Sequence, residues 1–348
     1  MQPFRTFRWI SVLACFAVYS CVPFTKPSLP SSTKMELSKD FETIVHFTDA
    51  LVSGAITFSG NTDGYELVFE KNLSVTVNYG KDKYDLSNSV KATIGDSKAS
   101  WLQVIVPFTA TLSNLEDGAN YYFSVTAQFG GEAPINSTPI KFFTLPEGPV
   151  DFGLPSRTLW ASCNLGASSP EESGTFYAWG ETSAKKENGR YTWSGYKWCE
   201  GDYNKLTKYC TSKYSGYNGF VDNLIDLQPE DDAAVYELGG NWHTPTTVEW
   251  VELEEKCQWE YIVINNVAGL LARSKTSPDD AKKVVFFPFS GSFMSTSISD
   301  KTSGYYWTAS LVVGWNESAY HTQLSSMGYY NFQLNRCYGA NIRPVCKK

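Results

Sequence analysis

The stretch Gly239-Gly-Asn-Trp-His-Thr-Pro-Thr246, with Glu249 three residues beyond it, decides how the second half of this 348-residue chain begins to fold. Paired glycines commonly end a helix, because glycine adopts the left-handed backbone of a helix C-terminus at no steric cost. Thr246 and Glu249 have the spacing of a capping box, in which both side chains accept hydrogen bonds from backbone N–H groups at a helix start. The stretch therefore predicts one helix that ends at Leu238 and a second that begins at Thr246.

Around this stretch the chain predicts few helices and many short strands. Pro229 suits the first turn of the helix that ends at Leu238, and acidic residues follow it where the helix dipole favours them. After these helices, strands are predicted at 283–287, 305–311, 318–324, 329–334 and 339–345. Two helices followed by several strands indicate an α+β domain over residues 150–348.

Residues 35–146 have a different pattern. Bursts of strand length recur at 54–59, 65–69, 74–79, 101–111 and 121–129, each with a period of two residues and each ended by turn-forming residues. Regular short strands of this kind predict an all-β sandwich. Leu145-Pro-Glu-Gly-Pro149 interrupts the periodicity and marks the predicted boundary between the two domains.

The N-terminus has the features of an export signal. Arg5 and Arg8 precede an apolar run at 9–18 that is too short to span a bilayer. The run ends in Val18-Tyr-Ser-Cys21, which resembles a bacterial lipobox. We expect a signal peptide at 1–20, lipidation of Cys21 and a flexible tether at 21–34, and hence an outer-membrane lipoprotein on the cell surface or the periplasmic face.

The net charge limits the class of partner that the protein could bind, and the cysteine content bears on the compartment in which it folds. A net charge of -7 argues against nucleic acid as a partner, which leaves the membrane, through the anchor, and a glycan or a surface protein. Six cysteines remain after the leader and the lipidated residue, and an exported chain favours disulfides. Cys199 and Cys210 bracket a short loop and form the first candidate pair. The pairing of the other four stays open: Cys163, Cys257, Cys337 and Cys346.

Several segments carry a resemblance to known families. They are Val150-Asp-Phe-Gly-Leu-Pro155, Leu159-Trp-Ala-Ser-Cys163-Asn164, Phe176-Tyr-Ala-Trp-Gly-Glu181, Pro229-Glu-Asp-Asp-Ala-Ala234, the stretch from Gly239, Gly304-Tyr-Tyr-Trp-Thr-Ala-Ser310 and Asn341-Ile-Arg-Pro-Val345. In this order they resemble the Fibrobacter succinogenes major paralogous domain of Bacteroidetes lipoproteins. The resemblance implies a distant C-type-lectin-like or formylglycine-generating-enzyme-like fold for residues 150–348.

The segment at 115–127 resembles the fibronectin type III signature. This resemblance implies that the Tyr121 phenol bonds to nearby backbone. The expected fold is thus a fibronectin III or Ig-like sandwich followed by an α+β C-type-lectin-like domain.

The lectin resemblance implies calcium-dependent sugar binding, and calcium prefers several carboxylate oxygens. The densest acidic group comprises the weak calcium candidates Asp226, Glu230, Asp231 and Asp232. A helix start explains this group equally well, so we expect no bound metal and no cofactor. With only His243 and His321 beyond residue 150, and with no nucleophile motif, we also expect no catalytic site.

Aromatic side chains are the remaining candidates for ligand contact. Trp160, Trp179, Trp242 and Trp307 lie in the family segments and are predicted to be core. The predicted ligand surface comprises Trp193, Tyr196, Trp198, Tyr203, Trp315 and Tyr320. The sequence therefore favours a non-catalytic binding or adhesion module for glycan or protein. The alternatives are a structural spacer in an envelope assembly and an enzyme of unrecognised chemistry.

Overall fold

The structure is a computed structural model, and it describes residues 27–62, 64–100, 102–185, 190–298 and 301–348. The predicted signal peptide, the lipidation site Cys21 and the first residues of the tether lie outside the described residues. Among the residues described, no helix combines the length and the apolar character needed to cross a membrane.

The chain is mostly antiparallel β-sheet. In chain order the strands are β1 Lys34–Leu37, β2 Glu42–Val45, β3 Ala50–Ser59, β4 Leu73–Gly80, β5 Asn88–Lys91, β6 Thr93–Ile94, β7 Lys98–Ser100, β8 Gln103–Leu112, β9 Asn120–Phe129, β10 Ile135–Asn136, β11 Ile140–Phe143, β12 Pro149–Val150, β13 Thr158–Ala161, β14 Cys257–Ile264, β15 Val267–Ser274, β16 Val284–Pro288, β17 Phe293–Met294, β18 Ser297–Ile298, β19 Ser303–Leu311, β20 Ser318–Ser325, β21 Gly328–Asn335 and β22 Val345–Lys347. The α-helices are α1 Glu66–Asn72, α2 Ala233–Leu238 and α3 Thr247–Lys256.

Strands β1 to β11 form two sheets that share one apolar core. The first sheet has the order β1-β3-β8-β6, with β2 on β3 and β7 on β8, and the second has the order β10-β9-β4-β5, with β11 on β9. Alternate residues of β9 from Tyr121 to Phe129 are buried in that core, as their period of two predicts. The Tyr121 hydroxyl accepts a hydrogen bond from the Glu116 N–H at 2.9 Å, which is the backbone contact that the sequence predicts.

One predicted strand in this region is wrong. Residues 65–69 alternate, but the chain there forms helix α1. Only Phe69 is buried on that helix, and its ring stacks on Phe58 at 4.1 Å between centroids, while Leu67 is 64% exposed. Tyr65 and Leu67 are exposed and Phe69 is buried, so these three alternating residues do not share one buried face.

Beyond Val150 the chain builds several small sheets, which are β12-β13-β22, β14-β15-β16, β17-β18 and β19-β20-β21. The predicted capping box is present, since the Thr246 hydroxyl accepts from the Glu249 N–H and the Glu249 carboxylate accepts from the Thr246 N–H. Helix α2 is shorter than predicted because Pro229–Asp231 form a 3-10 turn and Asp232 caps the helix.

Two sheet predictions need correction in this region. The hairpin β14–β15 was not predicted, because helix α3 passes directly into strand β14 at Cys257 and no turn residue separates them. The predicted strand at 339–345 is realised only at its end, as β22. Asn341 instead makes an isolated bridge to Tyr306 beside β19.

The two regions are in direct contact. A small apolar cluster joins Phe47 and Phe143 of the first region to buried residues of β14, β15 and β16. The Asn265 amide bonds both backbone groups of Val45, at 3.0 and 3.1 Å. The amide pair and the apolar cluster together fasten the sandwich to the β14–β16 sheet.

Candidate functional site

Tyr196, one of the predicted ligand contacts, belongs to the core. It is 4% exposed, and its hydroxyl donates to the Trp179 carbonyl oxygen at 2.7 Å and accepts from Arg336 Nε at 3.1 Å. Burial raises the pKa of this phenol. Its position in the predicted loop suggested exposure, but the side chain is needed to satisfy a fully buried guanidinium.

Of the neighbouring aromatic residues in the predicted ligand surface, Trp198 is engaged by other groups of the protein, whereas Tyr203 is exposed. Trp198 donates its indole N–H to the Gly180 carbonyl at 2.6 Å, and the ammonium groups of Lys197 and Lys208 lie 4.1 and 5.0 Å from the ring centroid. Those lysines occupy the ring face that a ligand would need. The ring centroids of Trp193 and Tyr203 lie 6.5 Å apart, and Tyr203 is 52% exposed.

Trp315 and Tyr320 are exposed, as predicted, but they do not extend this group. Trp315 lies in the turn between β19 and β20, and Tyr320 lies on β20. Among the described residues, no ring contact joins either of them to Trp193, Trp198 or Tyr203. The six predicted residues therefore form no single surface.

Of the four tryptophans predicted to be core, three are buried and one is not. Trp160, Trp179 and Trp307 are buried, as expected. Trp242 is only half-buried and lines a cleft of about 290 Å³ beside Cys163. Its place in a family segment suggested a core role that the structure does not give it.

The four weak calcium candidates have other partners. Asp226 accepts from the Ser310 hydroxyl, Glu230 pairs with Lys208, Asp231 binds Lys208 and the Tyr209 hydroxyl, and Asp232 caps α2 and binds Thr244. Within the ranges that the structure describes, no three ligating side chains are grouped in a way that could hold a metal ion.

The predicted disulfide between Cys199 and Cys210 is absent. The Cys199 thiol donates to the Trp193 carbonyl and the Cys210 thiol to the Ser212 carbonyl, each at 3.1 Å. These acceptors hold the two thiols in different loops. The other four cysteines of the described chain are also free: Cys163, Cys257, Cys337 and Cys346. Burial raises the pKa of Cys257 and of Cys337 to about 12, so both are neutral thiols.

Two carboxylates on α3, Glu249 and Glu254, have unusual environments, and both are structural. Glu249 is buried and accepts from Thr246, from His243 Nε2 at 3.2 Å and from Lys347 at 3.0 Å. The carboxylate raises the pKa of His243, and its own pKa is lowered despite burial. Glu254 is 4% exposed and burial raises its pKa to about 7, but Asn331 and Thr322 occupy its oxygens. Neither side chain lines the cleft beside Cys163 or the cleft beside Phe332.

The structure assembles a surface that the sequence did not predict. In the sheet β19-β20-β21, cross-strand pairs place Tyr305, His321, Phe332 and Tyr330 on one face. Ring centroids lie 5.6 Å apart from Tyr305 to His321, 6.5 Å from His321 to Phe332 and 6.0 Å from Phe332 to Tyr330. We call these four rings the aromatic row.

The aromatic row runs from the domain interior to solvent. His321 is 2% exposed, whereas Phe332 and Tyr330 are 52% and 42% exposed. Beside the exposed end lies a cleft of about 540 Å³ whose polar lining includes Ser303, Gln323 and Ser325. The described lining of this cleft bears no charged side chain.

Polar contacts orient one side of this cleft. The Gln323 amide nitrogen donates to Ser303 Oγ at 3.4 Å and to the Tyr305 hydroxyl at 3.3 Å. These two hydrogen bonds fix the Gln323 amide beside Tyr305, one end of the aromatic row. Rings beside oriented polar groups are the usual composition of a small-ligand site.

The pattern at 329–334 predicts a strand, and no residue of that strand is among the predicted ligand contacts. Strand β21 lies at the edge of its sheet, and its residues from Tyr329 to Gln333 are all exposed. The available signal was three aromatic residues, Tyr329, Tyr330 and Phe332, in a strand without a charge. Aromatic residues on both faces of one strand cannot all enter a single core.

Comparison with known proteins adds little to this geometry. No family model and no curated protein matches the chain. The solved structures that match include a Listeria monocytogenes EGD-e protein in complex with glucose, magnesium and calcium, and the Listeria monocytogenes cycloalternan-forming enzyme with a pentasaccharide substrate. Each is 13% identical to this chain, with a TM-score of 0.27, and each match covers 90% of this chain. The chain spans about 30% of the length of these structures.

The expectation of a non-catalytic binding module is contradicted by these matches, because one of them is an enzyme. We therefore withdraw that assignment, together with the expectation that the chain is not an enzyme. A TM-score of 0.27 transfers neither a fold nor an activity from the Listeria proteins to this chain.

Proposed function

We propose that this protein is an exported lipoprotein of the outer membrane that contacts carbohydrate through the aromatic row. In this proposal Cys21 carries the lipid, a fibronectin III-like sandwich follows the tether, and residues 150–348 form the lectin-like domain suggested by sequence resemblance. The observation that carries the carbohydrate contact is the row of exposed rings beside an uncharged cleft.

The composition of the surface supports a saccharide. Aromatic rings offer flat apolar faces against which the C–H groups of a sugar ring pack, and nearby hydroxyl and amide groups orient the sugar hydroxyls. Phe332 and Tyr330 supply the faces, with their rings within 21° of parallel. Gln323 and Ser325 supply polar groups in the adjacent cleft.

Phe332→Ala is expected to weaken binding of a neutral oligosaccharide by about tenfold or more, because a ring contact of about 1 kcal/mol and its buried area are both lost. Calorimetry on residues 27–348 would measure this, with the neutral probes cellopentaose, maltopentaose, xylopentaose and mannopentaose. Tyr261→Ala is the matched control, since Tyr261 is 50% exposed on another strand, β14. Equal affinities for the two variants would contradict the proposed surface.

Cys21→Ala in the full chain is expected to move the protein from the detergent phase to the aqueous phase in partitioning experiments. The reason is that each buried methylene of a lipid anchor contributes about 0.8 kcal/mol to membrane binding. Cys15→Ala is the control, because Cys15 lies in the predicted leader and should leave partitioning unchanged. An aqueous wild-type protein would refute the anchor.

A further inference from the structure

His321 is a buried histidine whose ring nitrogens lack well-formed hydrogen bonds. It lies on β20 and is 2% exposed, and among the described residues neither ring nitrogen makes a hydrogen bond of standard geometry, although the Phe332 backbone lies close enough to favour the protonated imidazole. A buried polar group without a partner costs free energy, and native structures contain few of them. A leucine or a phenylalanine would fill the position at a lower cost, so the imidazole calls for an explanation other than packing.

The surroundings of His321 place it at the inner end of the exposed rings. On its core side lies Trp307, whose indole N–H is bonded to the Tyr177 carbonyl. On its outer side lies Phe332, which both contacts the imidazole and lines the cleft. Rotation of the half-exposed Phe332 ring would therefore connect the imidazole to the cleft.

The ring can both donate and accept in this position. Burial lowers the pKa of His321 to about 4, so the imidazole is neutral at physiological pH. A neutral imidazole has one N–H donor and one acceptor nitrogen. A sugar hydroxyl also donates and accepts, so the two groups are complementary, and neither brings a net charge into the cleft.

We infer that His321 is the residue that recognises a hydroxyl group of an uncharged saccharide bound at the aromatic row, with Phe332 moving aside as the ligand enters. This inference rests on the proposed function and deepens it. It assigns a ligand class, because the described cleft lining holds no side chain that would neutralise an acidic sugar.

The test pairs stability with affinity. His321→Leu removes both unpartnered nitrogens, so we expect a higher Tm than wild type together with affinity for the neutral pentasaccharides reduced about tenfold, the loss of one hydrogen bond. His321→Gln retains a donor and an acceptor and should recover part of the affinity. It also serves as the second variant if the leucine protein does not fold.

The outcomes separate the two proposals. A His321→Leu protein that is more stable and binds like wild type would overturn the inference, while loss of binding in Phe332→Ala would still uphold the proposed function. A wild-type protein that binds pentagalacturonic acid and no neutral pentasaccharide would overturn the ligand class alone. Binding to none of these sugars would reject the proposed function and the inference together.

Discussion

Arg343→Ala is expected to unfold the C-terminal region at room temperature. The guanidinium is fully buried and donates to Asn164 Oδ1 and to the carbonyl oxygens of Ala161, Ser162 and Phe286, at 2.6–3.2 Å. Alanine would remove the guanidinium donors from these four acceptors, at about 1–3 kcal/mol for each acceptor that is left buried and unpaired. The loss is a large share of the 5–15 kcal/mol by which domains are typically stable. Denaturant unfolding monitored by tryptophan fluorescence would measure it.

Two further variants make this prediction specific. Arg343→Lys keeps the charge but lacks the planar fork of donors, so its stability should fall between those of wild type and alanine. Arg190→Ala removes an arginine that is exposed and should leave the unfolding midpoint nearly unchanged. An Arg343→Ala protein as stable as Arg190→Ala would show that the network of carbonyl acceptors contributes nothing.

Trp250→Ala is expected to lower the free energy of unfolding by about 3–5 kcal/mol, the usual loss for a fully buried aromatic residue. The indole is 0% exposed on α3, and its ring packs edge-on against Trp160 at 4.8 Å and tilted against Phe287 at 5.5 Å. These contacts join the helix to β13 and β16. Urea titration followed by circular dichroism would measure the loss.

The control for this prediction is Trp242→Ala. Trp242 is half-buried at a cleft, so its removal should cost much less than removal of Trp250. The stability of Trp250→Phe should lie close to that of wild type, because it keeps a ring in the core and removes an indole N–H that has no hydrogen-bond partner among the described residues. Equal losses for Trp242→Ala and Trp250→Ala would contradict this assignment of the core.

Predictions that depend on neighbours in the chain were the most successful. The capping box at Thr246 and Glu249, the alternation along β9 and the Tyr121 hydrogen bond all join residues within nine positions of one another. Predictions that required knowledge of the opposing surface were less successful. Tyr196 was expected at the surface, and it is instead a partner of Arg336, 140 positions away.

Cysteines show the same limit. Compartment and an even count favoured a bond between Cys199 and Cys210, but the bond also requires both thiols to point at each other. The chain directs each thiol to a separate carbonyl group. The count of cysteines holds no information about those directions.

By itself the sequence determined the predominance of short strands and the entry into helix α3, because these depend on local periodicity and capping. Only the tertiary structure decided which aromatic residues meet. Tyr305, His321 and Phe332 lie on three different strands, and antiparallel register brings them to one face. Whether that face is core or surface depends on what packs against it, and the packing stops at His321, which leaves Phe332 and Tyr330 to the solvent.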